Sequence, residues 1–519
     1  MEQSYAIELK NVTKRFGEVA ANQNVSLSVR KGEILSILGE NGSGKTTLMN
    51  MLAGIYFPEE GRIYVDGKEV TIRSPKDSFS LGIGMIHQHF KLINILTAAE
   101  NIILGLPGEE RLRMNRVNEE INQLIRQYGF DLNPAQKIYD MSVSQKQTVE
   151  IIKVLYRGVD ILILDEPTAV LTPQETQKLF AVLRNMRNAG KSIILITHKL
   201  NEVLELSDRV SVLRKGHYIG TVNACDATVD SLTEMMVGEK VSLDILRTEP
   251  VDTKIKLEMK EVTCRNKEGI PVLKEASFIA YSGEILGIAG ISGSGQKELL
   301  ESIAGLQEIE GGEIFYYSSE DKPQKISEKG AADIIDQNIR LAFVPEDRLG
   351  MGLVASMDLT DNMMLRSYKE GKHFFANRKK PKQLALDIVE QLDVVTPGVT
   401  TPVRRLSGGN VQKVLVGREI ASSPSVLMVA YPVRGLDINS SYTIYNLLSQ
   451  QKRQGVCVIC VGEDLDVLLE LSDRILVLHN GKVEGIVDAR KSSKEELGRM
   501  MAGSGKGGWS YEQRNSYNK

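Results

Sequence analysis

A glycine-rich loop near the N-terminus carries residues that could bind a phosphate group. Residues 39–46 read GENGSGKT and match the pattern G-x-x-x-x-G-K-[ST]. In such a loop, backbone N–H groups surround a phosphate, Lys45 supplies positive charge, and Thr46 offers a hydroxyl ligand to Mg²⁺. An apolar run precedes the loop and an amphipathic run follows it. This context favours a phosphate-binding loop over an ordinary glycine-rich turn.

Two later apolar runs end in groups that could act on a bound phosphate. Asp165 and Glu166 follow residues 161–164, where Asp165 suits the outer shell of Mg²⁺ and Glu166 could activate water as a general base. His198 follows residues 192–196 and could hold a terminal phosphate. Alone, a carboxylate pair at a strand end is more often solvated than catalytic, and a lone histidine is usually structural. In company with the glycine loop, a catalytic role for these residues is favoured.

The runs that lead into these groups are apolar on both faces, as buried parallel strands are, and they alternate with helical stretches. They predict an α/β fold. The length of 519 residues suggests about two to four domains. The formal charge of −3 provides no global field for nucleic acid, so no nucleic-acid partner is expected.

Four cysteines are too few for a disulfide scaffold. Cys457 and Cys460 form a C-x-x-C, but they lie inside an apolar run, which favours a buried strand over a metal or redox site. The N-terminus lacks a basic-then-apolar leader, and no apolar run reaches the roughly 18 residues of a spanning helix. We therefore expect a chain that is neither secreted nor integral to a membrane.

An internal repeat divides the chain into halves. LSDR at 206–209 returns at 471–474, and GEIL at 32–35 returns at 283–286. The offset is 290 − 39 = 251 at the glycine loop and 473 − 208 = 265 near the end of each half, so the second copy has 14 additional residues. The polar, proline-containing segment 246–253 is the predicted linker between domains 1–245 and 254–501. Residues 502–519, rich in Gly and Ser, are predicted to be a disordered tail.

The order of motifs in the first half resembles an ABC-type ATPase cassette. The glycine loop, Gln88, MSVSQ at 141–145, Asp165-Glu166 and His198 stand in the places of the Walker A loop, Q-loop, signature, Walker B strand and switch histidine. The second half carries LSGGN at 406–410, close to the family's LSGGQ. The resemblance implies two tandem P-loop ATPase domains. Each would have a mostly parallel sheet core, an antiparallel β subdomain and a helical lobe.

The resemblance also implies ATP and Mg²⁺ as cofactors, and a head-to-tail arrangement in which each nucleotide lies between one domain's glycine loop and the other's signature. Glu166, His198 and Gln88 would be catalytic, and Thr46, Gln88 and Asp165 would hold the metal. Phe16 could stack on adenine. The expected nucleotide-binding residues are Phe16, Gly39, Asn41, Gly42, Ser43, Gly44, Lys45, Thr46, Thr47, Ser407, Gly408, Gly409 and Asn410.

The second half departs from the family pattern at nearly every chemical position. Its counterparts of Lys45, Thr46, Gln88, Asp165, Glu166, His198 and Phe16 are Gln296, Lys297, Glu346, Ala430, Tyr431, Glu463 and Asn266. This half is predicted to have lost hydrolysis, although Lys297 could reach the phosphates from one position later. One composite site would then join the intact first-half groups to the second signature and the loop aspartate Asp437. The other site would be regulatory or structural.

The two signatures also differ. Ser142 and Gln145 form an S-x-x-Q capping box, so the first signature is predicted to open a helix whose N-terminal dipole can face a phosphate, as the second does from Ser407. Paired glycines in the second signature allow close backbone approach, whereas Val143 and Ser144 put side chains there. The first signature is therefore the poorer one.

A twin cassette with one weakened half resembles the ATP-binding subunit of bacterial importers for simple sugars or nucleosides. Residues 84–90 and 96–102 look most like the nucleoside branch, and residues 344–348 fit both. The resemblance implies two transmembrane permease subunits and, through them, an extracytoplasmic solute-binding protein. The chain would lie peripherally on the cytoplasmic face of the cell membrane and contact the permeases around residues 90–140 and 348–400.

The alternative function is that of a soluble twin-cassette ATPase acting on ribosomes. Members of that family have two intact cassettes joined by a long charged linker, whereas this chain has one intact cassette and a short linker. DNA-repair twin cassettes would need zinc-binding cysteine pairs, which four scattered cysteines do not supply.

Overall fold

A computed structural model describes residues 4–88, 90–106, 113–239, 245, 247–251, 253–266, 268–318, 323–337, 339–368 and 377–503. The chain forms two compact units, Met1–Ser242 and Leu243–Lys519. The predicted tail lies outside the described residues from 504 onward, and the predicted linker is described only in part. No helix of the described ranges is both long and apolar enough to cross a bilayer.

The first unit contains two sheets. Its strands are β1 (Tyr5–Phe16), β2 (Val19–Arg30), β3 (Ile34–Leu38), β4 (Glu60–Val65), β5 (Lys68–Val70), β6 (Ile83–Ile86), β7 (Ile161–Asp165), β8 (Ser192–Ile196), β9 (Arg209–Arg214) and β10 (His217–Asn223). One sheet has the order β2-β1-β4-β5 and is antiparallel. The other has the order β10-β9-β3-β8-β7-β6 and is parallel except for the edge strand β10.

The helices of the first unit pack on these sheets. They are α1 (Lys45–Leu52), α2 (Pro75–Ser80), α3 (Ala98–Ile103), α4 (Met114–Tyr128), α5 (Val143–Tyr156), α6 (Pro173–Asn188), α7 (Leu200–Leu206) and α8 (Val229–Val237), with short 3₁₀ turns at Ile138–Asp140 and Ala224–Asp226. Local signals fix their ends. Thr97 and Thr172 open α3 and α6 with capping boxes, and Gly129 ends α4 at φ 80°, a left-handed conformation that favours glycine. Helices α3, α4 and α5 form the helical lobe.

Strand β7 shows why the predicted runs are apolar on both faces. Ile161 and Ile163 pack into a core between the two sheets that also contains the buried face of α1. Leu162 and Leu164 point the other way, into the core shared with the helical lobe and α6. Successive side chains of a strand alternate between its faces, so a strand with a core on each side must be apolar throughout.

The second unit repeats this architecture. Its strands are β11 (Ile255–Arg265), β12 (Pro271–Tyr281), β13 (Ile285–Gly290), β14 (Gly311–Tyr317), β15 (Pro323–Lys325), β16 (Leu341–Val344), β17 (Val426–Ala430), β18 (Cys457–Val461), β19 (Arg474–His479) and β20 (Lys482–Asp488). They form a sheet of order β12-β11-β14-β15 and a sheet of order β16-β17-β18-β13-β19-β20. The predicted fold of two cassettes, each with a mostly parallel core and an antiparallel β subdomain, is confirmed.

The helices of the second unit follow the same plan. They are α9 (Gln296–Ile303), α10 (Ala331–Asp336), α11 (Leu359–Met364), α12 (Lys379–Gln391), α13 (Gly408–Ala421), α14 (Ile438–Arg453), α15 (Leu465–Leu471) and α16 (Lys494–Met501), with a π turn at Arg348–Gly352 and a 3₁₀ turn at Val403–Arg405. Helices α11, α12 and α13 form the second helical lobe.

The additional residues of the second copy are spread over several connections. The offset between corresponding elements is 341 − 83 = 258 at β6 and β16, 359 − 98 = 261 at α3 and α11, and 408 − 143 = 265 at α5 and α13. Half of the insertion therefore precedes β16, on the side of the antiparallel sheet, and the other half enlarges the helical lobe.

The segment that joins the two repeats is anchored on the second unit. Ile245 is buried in the core of that unit. The Arg247 guanidinium donates hydrogen bonds to the backbone carbonyls of Leu469 at 2.7 Å and Ser472 at 2.8 Å. These contacts belong to the end of α15, where helix carbonyls lack partners within the helix.

The C-x-x-C motif is a structural feature. Cys457 and Cys460 lie in β18, both buried and free of disulfides. Burial raises the pKa of the Cys460 thiol to about 12 and that of Cys457 well above its ordinary value, so both remain protonated thiols. The predicted buried strand is confirmed.

Candidate functional site

The glycine loop of the first unit wraps around its own lysine. Lys45 is the first residue of α1, and its Nζ donates hydrogen bonds to the carbonyls of Gly39 at 2.7 Å and Glu40 at 2.9 Å. Burial lowers the pKa of the Lys45 ammonium, while Glu166 and Asp165 oppose that shift. These two carbonyl dipoles stabilise the ammonium only in part. A phosphate held in the loop would place a full negative charge beside it.

The glycines of the loop are required by space and by backbone angle. A Cβ on Gly44, at φ 97°, would lie 2.3 Å from the carbonyl oxygen of Ala21, and one on Gly39 would lie 2.5 Å from Ser43 Oγ. That hydroxyl is buried and has no hydrogen-bond partner within the described ranges. An orphaned donor inside a loop of backbone amides fits a phosphate oxygen as its missing partner.

The remaining predicted loop residues frame the same turn. Asn41 and Gly42 are exposed, and Gly42 adopts φ 80°. Thr46 and Thr47 lie in the first turn of α1, where backbone N–H groups have no partner within the helix. Both therefore stand at the positive end of the helix dipole, where an anion is favoured.

Phe16, the predicted adenine platform, ends β1 and is 45% exposed. Its ring meets that of Tyr56 edge to face, with centroids 5.2 Å apart, and Lys14 Nζ lies 5.4 Å from its centroid. Tyr56 was not predicted from the sequence. The usable signal is the apolar triplet of Ile55, Tyr56 and Phe57 between Gly54 and Pro58, and the structure shows that all three side chains are exposed. The two rings together offer a wider aromatic surface than Phe16 alone.

The three residues predicted to be catalytic lie together. Gln88 Nε2 donates to one carboxylate oxygen of Glu166 at 3.1 Å, and His198 Nδ1 lies 2.9 Å from the other. The hydrogen bond with His198 lowers the pKa of Glu166, against the effect of burial. Glu166 is therefore an ionised carboxylate at neutral pH, the state that a general base requires.

Asp165 and Thr46 provide oxygen ligands beside this carboxylate. Thr46 Oγ1 donates to Asp165 Oδ2 at 3.4 Å, and burial followed by the charge of Glu166 raises the pKa of Asp165. The described residues contain no group of three or more His, Cys, Asp or Glu that could hold a metal by itself. This donor set still fits Mg²⁺, which typically binds one or two carboxylates and completes its shell with water and substrate phosphates.

The second signature opens α13 with paired glycines. Ser407 caps the helix and accepts hydrogen bonds from Asn410, at 3.4 Å from the backbone N–H and 2.9 Å from Nδ2. A Cβ on Gly409 would lie 2.8 Å from Ser440 Oγ, whereas one on Gly408 would meet only Arg348 Nη1, at 3.4 Å. Gly409 is thus required by packing, and Gly408 keeps the N-terminus of the helix open.

The loop aspartate Asp437 lies at the N-terminus of the next helix. It caps α14 by accepting hydrogen bonds from the backbone N–H of Ser440 at 2.7 Å and from Ser440 Oγ at 2.8 Å. A Cβ on Gly409 would stand 3.3 Å from its carboxylate, so Asp437 borders the signature within the second unit.

The first signature has the predicted capping box. Ser142 Oγ accepts from Gln145 N at 3.2 Å, and Gln145 Oε1 accepts from Ser142 N at 3.0 Å. Val143 and Ser144 occupy the positions of the paired glycines, so side chains stand at the start of α5 where the second signature has bare backbone.

The glycine loop of the second unit keeps its shape and loses its charge. Buried Gln296 stands at the place of Lys45 and donates from Nε2 to the carbonyl of Ile291 at 3.0 Å, as Lys45 does to Glu40. Lys297 is largely exposed and its Nζ lies 3.8 Å from Glu301. The amide of Gln296 thus replaces the ammonium inside the loop, and Lys297 points along α9.

The second unit also has a neutral group in place of the predicted base. Tyr431 has φ 47°, the same value as Glu166, so the backbone is preserved while the side chain changes. Burial, followed by the charges of Glu463 and Glu346, raises the pKa of Tyr431 to about 12. Arg434 pairs with Glu346 and, at 3.2 Å, with Glu463. The counterparts of Gln88 and His198 in the second unit are therefore paired with the cation of Arg434, whereas in the first unit Gln88 and His198 hold the carboxylate of Glu166.

Gln296→Ala should leave ATP hydrolysis within roughly threefold of wild type, because the amide brings no charge to a phosphate. Steady-state phosphate release from the assembled protein checks this, with Lys45→Ala as the inactive reference. Gln296 is buried, so thermal unfolding must first show that the variant folds. A loss beyond tenfold in a folded variant would mean that the second loop is essential.

Comparison with known proteins identifies the same family in both units. The ABC transporter family profile matches residues 22–169 and 273–432, one match in each unit. The nucleoside import ATP-binding protein NupA of Lactococcus lactis subsp. cremoris is 41% identical and aligns over 97% of this chain and 99% of its own length. The ribose import ATP-binding protein RbsA of Clostridium perfringens strain SM101 is 35% identical over 97% of this chain and 99% of its own.

Among solved structures, the archaeal ribosome recycling factor aABCE1, in complex with the ribosomal stalk protein aP1, covers 95% of this chain and 92% of its own with a TM-score of 0.60. At 15% identity this similarity reflects the fold alone. The family match in both units and the alignment with NupA over nearly the full length of both chains confirm the predicted family. The chain belongs to the ABC transporter family.

Proposed function

We propose that this chain is the ATP-hydrolysing subunit of a bacterial ABC importer for nucleosides, with one competent and one degenerate ATP site. The observation that carries the proposal is that Glu166 lies between Gln88 and His198 in the first unit. The second unit has Tyr431 at the same backbone position. ATP hydrolysis then depends on the first unit's loop and base.

The residues of the first unit divide the work. Lys45 and the loop N–H groups bind the β- and γ-phosphates, and the Glu166 carboxylate accepts a proton from the attacking water. His198 and Gln88 orient that carboxylate through the hydrogen bonds described above. Mg²⁺, held by Thr46 and Asp165 with Gln88 nearby, would neutralise phosphate charge.

We further propose that the units pair head to tail, so that residues 407–410 close on the nucleotide bound by the first loop while Phe16 stacks on its adenine. The glycine pair and the Ser407 cap support this choice, because they leave the N-terminus of α13 accessible to an anion. The first signature carries Val143 and Ser144 at that place and would face the degenerate loop.

Two observations favour nucleosides over simple sugars. NupA, named for nucleoside import, is more similar to this chain than RbsA, named for ribose import. Residues 84–90 and 96–102 also look most like the nucleoside branch of the family. The ribosomal alternative is not favoured, because the likeness to the recycling factor, at 15% identity, is one of fold alone.

The partners of this subunit would be two transmembrane permease chains and, through them, an extracytoplasmic solute-binding protein, with this chain on the cytoplasmic face of the membrane. The helical lobes are the expected permease contacts. The connections that flank the helices of these lobes expose apolar side chains at Ile93, Ile95, Tyr139, Met357 and Val395, which a protein partner would cover.

Transport by the assembled complex tests the proposed substrate. Proteoliposomes containing this chain, its two permeases and the solute-binding protein should take up labelled nucleoside with ATP, and unlabelled nucleosides should compete while ribose should not. A complex with Glu166→Gln is the background control. Uptake of ribose alone, or copurification of the chain with ribosomes in place of permeases, would contradict the proposal.

A further inference from the structure

Arg348 places a guanidinium beside the second signature. It follows β16 and begins the turn Arg348–Gly352. Its Nη1 lies 3.4 Å from the point that a Cβ on Gly408 would occupy, and its Nη2 donates to the backbone carbonyl of Arg434. Within the described ranges this carbonyl is its one hydrogen-bond acceptor, so most of its N–H donors are available to a ligand.

The charge of Arg348 has no carboxylate partner at hydrogen-bond distance among the described residues. The nearby guanidinium of Arg434 is already paired with Glu346 and Glu463. Burial and the charge of Arg434 lower the pKa of Arg348, and Glu346 opposes that shift only in part. Because the N-terminus of α13 adds a partial positive charge at Gly408, this corner of the second unit is one that an anion would stabilise.

The two halves differ at this position. Arg348 stands two residues after Glu346, and the residue two positions after Gln88 is Phe90. The signature with the paired glycines therefore has a guanidinium beside it, and the half with the poorer signature has an apolar ring at the corresponding place in the sequence. The cation accompanies the signature that is proposed to close the competent site.

We propose that Arg348 is a further catalytic residue, whose guanidinium contacts the γ-phosphate of the ATP on which the second signature closes. This inference rests on the proposed head-to-tail pairing. In phosphoryl transfer, charge is spread over the γ-phosphate oxygens, and a planar guanidinium can meet two of them at once. The carbonyl of Arg434 holds Arg348 in place, so little conformational freedom is lost when the phosphate arrives.

The test uses the complete transporter and compares Arg348→Ala, Arg348→Lys and the control Arg340→Ala, which removes an exposed arginine from the same unit. Arg348→Ala should lower ATP turnover by about 10- to 100-fold, the scale of one lost hydrogen bond between charged groups. Arg348→Lys should restore part of the rate, and Arg340→Ala should match wild type.

Binding separates phosphate contact from a structural role. In the Glu166→Gln background, Arg348→Ala should weaken ATP binding by about 10-fold or more and leave ADP binding unchanged, because ADP lacks the γ-phosphate. ATP turnover of the single variant Arg348→Ala within threefold of wild type would overturn the inference. If ATP and ADP binding weaken equally, or if Arg348→Lys restores none of the ATP turnover, Arg348 has only a structural role, which is to hold the turn 348–352 against Arg434.

The Gly408→Asp variant distinguishes failure of this inference from failure of the pairing. If Gly408→Asp is inactive and Arg348→Ala is normal, the pairing stands and the role of Arg348 falls. If Gly408→Asp is also active, the second signature does not close the competent site, and the proposed function loses its composite site.

Discussion

Glu166→Gln should retain ATP binding and lower ATP turnover by about 10²- to 10⁴-fold, the usual scale for loss of a positioned base. The amide has the size of the carboxylate, but it cannot take a proton from water. The fold should tolerate the change, because the backbone N–H of residue 166 donates to the carbonyl of Ile196 at 2.9 Å whichever side chain is present. Single-turnover and steady-state hydrolysis, together with ATP binding, measure both parts.

The second unit provides a matched control for this variant. Tyr431 has the same φ as Glu166, and its pKa of about 12 keeps the phenol neutral at physiological pH. Tyr431→Phe should therefore leave turnover unchanged. Steady-state hydrolysis of Glu166→Gln within a few-fold of wild type would refute the assignment of the base.

The clustering of Gln88, Glu166 and His198 could be predicted from the sequence because each residue closely follows a buried strand. Those strands, β6, β7 and β8, are neighbours in one parallel sheet. The carboxyl ends of parallel strands meet at one edge, so side chains that follow them converge. Such strands are short runs of residues that are apolar on both faces, and this pattern is also the strongest signal of the α/β fold.

Other parts of the site could not be predicted, because they depend on long side chains that cross between distant segments. Arg434 reaches Glu346 and Glu463, and no local pattern specifies which of the nearby carboxylates it will choose. The approach of Arg348 to Gly408 likewise joins a loop after one strand to the start of a helix 60 positions later. Such contacts are decided by tertiary packing, on which propensity and periodicity carry no information.

Gly408→Asp should be nearly as damaging as Lys45→Ala, although the two residues lie in different repeats. If the units pair head to tail, an aspartate at 408 meets the γ-phosphate bound by Lys45, where it would collide with the phosphate and repel it. It would also pair with the neighbouring Arg348 and remove that cation. Loss of turnover should therefore approach that of the inactive Lys45→Ala reference.

Val143→Asp is the matched control because Val143 and Gly408 are each the first residue of their helix. An acidic side chain at that position stabilises a helix through its dipole, so neither variant should unfold locally. Gly408 is a better probe than Gly409, because a side chain at 409 would clash with Ser440 while one at 408 meets only the flexible end of an arginine.

In the proposed pairing, one competent ATP site joins the first unit's loop to the second unit's signature. This pairing can be tested by the ATPase activity of Gly408→Asp, Val143→Asp and Lys45→Ala, each assembled with its permeases after thermal unfolding confirms the fold. We expect Gly408→Asp to fall to nearly the level of Lys45→Ala and Val143→Asp to retain most activity. A severe Val143→Asp and a mild Gly408→Asp would contradict it, because each unit would then close its own site.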